Sequence, residues 1–128
     1  MTHIVRLIPQ EKIRHDPEAM AAIYRNLGAT LADRVISRAL AELALTLSAA
    51  VQMVDDHELR EFPRQMQRLR GLADNLGMQS LSRAAMSCKQ CLEDGDGAAF
   101  SAVWQRLMRI TERSLDTQAA TGETRPPA

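Results

Sequence analysis

Arg64–Leu81 reads RQMQRLRGLADNLGMQSL, and the period of its apolar residues decides the fold. With Leu59 and Phe62 ahead of it, Met66, Leu69, Ala73 and Leu76 recur in steps of three and four. That period places them on one side of an α-helix. The other side carries Arg60, Arg64, Gln67, Arg70, Gly71 and Asp74, a polar and mostly basic face with a glycine in its middle. Glycine inside a helix costs about 1 kcal/mol relative to alanine. Gly71 is therefore either tolerated on a helix held by its packing, or present because something approaches the backbone there. Asn75-Leu76-Gly77 stops the helix, and a new apolar period begins at Met78.

A chain of 128 residues is enough for one domain with a core of its own. Ala, Leu, Met, Arg, Gln and Glu are abundant, whereas there are only two Phe, one Tyr and one Trp. This composition points to an all-helical protein. Sixteen basic residues balance sixteen acidic ones, so no global field favours nucleic acid or a membrane surface. Charge is uneven locally, because Arg60–Arg70 holds four arginines against Glu61 alone. The N-terminus has no charged start followed by an apolar core, as a cleavable signal would. Cys88 and Cys91 lie three apart on one helix, which suits reduced thiols better than a disulfide framework. The expected location is the cytoplasm.

Around the central stretch the chain divides readily. Residues 1–15 are expected to form an N-terminal arm, with Val5, Leu7 and Pro9 suggesting extended backbone. Asp16-Pro17-Glu18 starts a short helix, with Asp as cap and Pro at the first position; Gly28 interrupts it. The longest helix is expected over Thr30–Val54, with Ile36, Leu40, Leu43, Leu47, Ala50 and Val54 as its stripe. It is long enough to raise the question of a membrane span. Arg38, Glu42, Thr46, Ser48, Gln52 and many alanines instead favour a helix buried on more than one side. Leu45 and Met53 lie outside the stripe and are candidates for a homodimer contact. Asp55 with Glu58 resembles a capping box for the central helix, and the stripe running through Pro63 predicts a kink there rather than a start. Met78, Leu81, Ala85, Cys88 and Leu92 face inward on the next helix. Asp96 caps a last one lined by Phe100, Val103, Leu107 and Ile110. Residues 116–128 are expected to be a disordered tail. The expected architecture is an antiparallel up-and-down four-helix bundle over 16–115, with an additional N-terminal helix.

The central stretch resembles the histidine phosphotransfer (Hpt) domain, the four-helix relay of bacterial phosphorelays. That family's motif is His, any residue, Leu, Lys, Gly, then Leu-Gly and an apolar residue four later. Here Leu69, Arg70 and Gly71 stand for Leu-Lys-Gly, Leu76-Gly77 for Leu-Gly, and Leu81 for the residue beyond. Cys91-Leu92-Glu93 followed by Gly95-Asp96 is similar to the family's later Leu-Glu and Gly-Asp signals. The resemblance spans roughly residues 34–115 and rests on the ordered set rather than on Leu-Arg-Gly alone. Where the family carries its phosphorylated histidine, this chain has Gln67. An amide has no nucleophilic nitrogen comparable to imidazole, so it cannot accept and return a phosphoryl group.

The resemblance implies a non-catalytic module in two-component signalling. It would dock a response-regulator receiver domain through Arg60, Arg64, Gln67, Arg70, Gly71 and Asp74. A receiver's acidic active site would suit the arginines, although a solvated helix face is the more usual reason for such a row. The alternative is a structural homo-oligomeric bundle without a signalling role. Cys88-Lys89-Gln90-Cys91 could suggest redox or metal chemistry. It sits in an apolar helical stripe with no second ligand pair, so two buried small hydrophobes is the simpler account. His3 and His15 have no catalytic neighbours. His57 would lie about 15 Å from Gln67 along a continuous helix at 1.5 Å per residue. No catalytic constellation, cofactor motif or metal-ligand spacing is present, so neither an enzyme nor a cofactor is expected.

Overall fold

The computed structural model describes residues 13–123, with side chains described as far as Asp116. Five helices form among them and no strand: α1 (Pro17–Leu27), α2 (Ala29–Asp55), α3 (Phe62–Asn75), α4 (Gln79–Glu93) and α5 (Gly97–Glu123). Each packs on the next in sequence. One core joins Ile36, Leu43 and Leu47 of α2 to Met66, Leu69 and Ala73 of α3, Leu81 and Ala85 of α4, and Leu107 and Ile110 of α5. The helical period therefore locates the core correctly. Leu40, Leu92, Phe100 and Val103 are half-buried and pack against its margin.

The start of α3 differs from the expected kink. Helix α2 ends at Asp55, residues 56–61 turn, and Pro63 lies in the first turn of α3. There its missing N–H has no helical partner to lose. Phe62 is fully buried, with edge-to-face contacts to Phe100 (5.3 Å) and Trp104 (5.5 Å). Sinking this ring beneath α5 fixes where α3 begins. Nor do Asp55 and Glu58 form a capping box. His57 takes a left-handed φ of 56°, its N–H donates to the Val54 oxygen (3.2 Å), and Glu58 N–H donates to the Met53 oxygen (2.9 Å). These two bonds make a Schellman motif that closes α2.

Gly77 and Gly95 close α3 and α4 in the same way. Gly77 N–H donates to the Asp74 oxygen and Met78 N–H to the Ala73 oxygen; Gly95 and Asp96 donate to the Leu92 and Cys91 oxygens. As the sequence predicts, Asp16 caps α1 by accepting from Glu18 N–H (3.0 Å), and Asp96 caps α5 by accepting from Ala99 N–H (3.0 Å).

The C-terminal end differs from expectation. The tail expected from Asp116 onward is helical backbone as far as Glu123, where Gln118, Ala119 and Ala120 are good helix formers. Residues 124–128 lie outside the described residues. So does most of the expected N-terminal arm, including Val5, Leu7 and Pro9. The arm's last part is pinned to the α3–α4 corner. Asp16 N–H donates to the Gly77 oxygen (2.7 Å), Arg14 N–H to Ser80 Oγ (2.7 Å), and Ser80 N–H to the Arg14 oxygen (3.3 Å).

Helix α2 also differs from expectation. It is long and apolar enough to cross a membrane, and it is buried on one face rather than several. Ala32, Ile36, Leu43, Thr46, Leu47 and Ala50 turn inward. Leu45 stays 71% exposed. Met53, the other candidate for a subunit contact, is half-buried and packs against the core instead.

Candidate functional site

The site is built on α3, whose inner residues Phe62, Met66, Leu69 and Ala73 are all fully buried. At about 100° per residue, anchoring that face aims Arg64, Gln67, Gly71 and Asp74 outward, with Arg70 at the margin. All five are exposed. Arg60 is exposed too, but it lies in the turn before α3. It therefore does not continue the helical strip, as the expected longer helix required.

Gly71 adopts ordinary helical backbone, and a Cβ built on it would meet nothing within 4 Å. No packing contact requires glycine there. Gln67 stands one turn earlier on the same face and is exposed as well.

Electrostatically the face is more balanced than its arginines suggest. Arg64 lies 3.6 Å from Glu61, and Arg70 lies 4.0 Å from Asp74. Arg68 reaches across to Glu42 of α2 at 3.7 Å. All six side chains are substantially exposed, and such surface pairs contribute at most about 1 kcal/mol each. They can exchange partners readily when a stronger anion arrives. The Arg68–Glu42 pair is missed by a reading confined to the α3 period. Its signal in the sequence is Glu42 itself, the one acid between Val35 and Val54.

The remaining candidate groups do not join this face. Cys88 is buried in the core, where desolvation pushes its thiol up to about 12 and the neighbouring Cys91 adds to the shift. A thiol in that state is neutral at pH 7 and a poor nucleophile or ligand. His57 sits in the turn that ends α2, on no common helix with Gln67. His15 is paired with Met78 in an isolated antiparallel bridge, and its Nε2 is buried without a hydrogen-bond partner. Burial lowers its pKa. Among the described residues no three His, Cys, Asp or Glu side chains converge as metal ligands would. His3 lies outside the described residues.

No protein-family model, curated protein or solved structure matches this chain.

Proposed function

We propose that this chain is an Hpt-like module without phosphotransfer chemistry. In this proposal α2–α5 form an up-and-down four-helix bundle, α1 is an addition to it, and the face around Gln67 docks a response-regulator receiver domain in the cytoplasm. The observation that carries the proposal is that Gln67 and Gly71 on the outer face of α3 and Arg70 at its margin are exposed together, with the space over Gly71 open. An exposed helical glycine that packs against nothing lowers stability without a structural return. Access to the backbone beside Gln67 gives it a use. Arg64, Arg68 and Arg70 would then exchange their exposed intramolecular carboxylates for the acidic site of the receiver.

The proposed role is binding and not catalysis. Gln67 cannot carry a phosphoryl group, and no cofactor or nucleic acid enters the proposal. Titration calorimetry against receiver domains from the same source tests it. Arg70→Glu should weaken binding about tenfold, since truncating or reversing a docked charge commonly costs about 1.4 kcal/mol or more. Gly71→Arg should do the same sterically, and both variants should keep the wild-type helical signal. Unchanged affinity in both, or no binding to any receiver, rejects the proposal.

A further inference from the structure

A second surface lies on α2, away from its buried face. From Arg34 to Asp55, residues 34, 38, 41, 45, 48, 52 and 55 recur at alternating steps of four and three, and every one is exposed. This row is polarised. Arg34 and Arg38 make its start basic, and Asp55 makes its end acidic. Between them Leu45, the most exposed large hydrophobic residue on the described surface at 71%, is flanked by Ala41 and Ser48. Small residues there let another backbone approach closely around the leucine.

At its acidic end the row also runs against the helix's own dipole, because Asp55 stands in the last turn of α2. The first turn of α2 holds no acid and its last turn no base, whereas acids favour helix N-termini and bases C-termini. An antiparallel neighbour reverses that disadvantage, because its acidic end lies beside the N-terminal half of α2. We infer that α2 is the interface of an antiparallel homodimer, with Leu45 meeting Leu45 at the two-fold axis. In that register Ala41 faces Ser48 of the second copy, Arg38 faces Gln52, and Arg34 faces Asp55, each twice by symmetry. A second copy fits this row better than a lipid surface does, because opposite charges at its two ends complement only a surface with the reverse polarity. The row is separate from the outer face of α3, so the dimer and the receiver docking stand or fall independently.

Sedimentation equilibrium of the full chain, from about 1 μM to about 1 mM, reads the association directly. The expected result is a reversible monomer–dimer equilibrium. Leu45→Glu should abolish it while keeping the wild-type helical signal, since the side chain is mostly in water. Arg34→Asp and Asp55→Arg should each weaken it about tenfold, because two symmetric attractive pairs become repulsive. The double variant R34D/D55R should restore it. A chain that stays monomeric up to about 1 mM overturns the inference, and so does a dimer insensitive to Leu45→Glu. Weakening by both single variants without rescue in the double variant overturns the antiparallel register. Binding of a monomeric chain to phosphatidylcholine/phosphatidylglycerol vesicles, lost in Leu45→Glu, would overturn the homodimer and assign the row to lipid.

Discussion

Gly71 and Gly77 stand close together in sequence, yet they serve opposite ends. Gly77 is buried at the end of α3 with a φ of 74°, and a Cβ there would collide with the Asp16 backbone oxygen. It closes a Schellman motif and accepts the Asp16 N–H that pins the N-terminal segment. Gly71 is helical, exposed and in contact with nothing a Cβ would touch. The fold explains the first glycine completely and gives no reason for the second. A glycine without a structural reason is where a reason outside the fold is to be sought.

The largest expected effect breaks the corner. Gly77→Ala adds a left-handed non-glycine residue, at about 1–2 kcal/mol, and displaces a hydrogen-bonded carbonyl worth about 0.5–1.5 kcal/mol. Urea unfolding should show a loss of about 2–3 kcal/mol. A change under about 0.5 kcal/mol, the size typical of surface substitutions, would put the two glycines in one class. Gly71→Ala should do the reverse and raise stability by about 1 kcal/mol. Its small methyl should leave the proposed receiver docking nearly intact. A destabilised Gly71→Ala protein would mean that Gly71 has a structural role after all.

A smaller effect sharpens the account of the corner through His15. Burial lowers its pKa in the folded chain from the ordinary value of roughly 6.5, so the unfolded chain binds more protons below that pH. Stability is then full above about pH 6.5 and falls as the pH drops from there toward the folded pKa. Arg14 and Asp16 flank the imidazole along the chain. The corner from Asn75 to Ser82 contributes no titratable group, with Asp74 and Arg83 the nearest beyond it. His15→Leu should flatten the slope of stability between about pH 6.5 and pH 5 relative to the native chain. An unchanged slope would place the imidazole in water.

Much of this molecule is legible in its sequence, because burial follows the helical period. Met66, Leu69 and Ala73 declare the inner face of α3 with no tertiary information. The start of α3 is less accessible. An unbroken apolar stripe across Pro63 suits a kink, and only the Phe62 contacts with Phe100 and Trp104, far away in the chain, show why the helix starts there. His57 misleads for a related reason. A non-glycine residue in a left-handed helix end has no sequence signature like the glycines at positions 77 and 95. On the outer face, exposure of Gln67, Arg70 and Gly71 follows from the same period. The carboxylates that temper the arginines are only partly local, since Glu42 arrives from another helix.

The claim that the Gln67 face docks receivers is tested most directly by returning the missing imidazole. Gln67→His alters one exposed residue, so the fold should survive, and Gly71 would leave room one turn away. Incubated with phosphorylated receivers, wild-type protein should take no acid-labile phosphoryl label. The Gln67→His variant should take it, and the Gln67→His, Gly71→Arg double variant should lose it again. A folded Gln67→His protein that no receiver labels would contradict docking at this face. Label on the wild-type chain that vanishes with His57→Ala would show that the chemistry resides elsewhere.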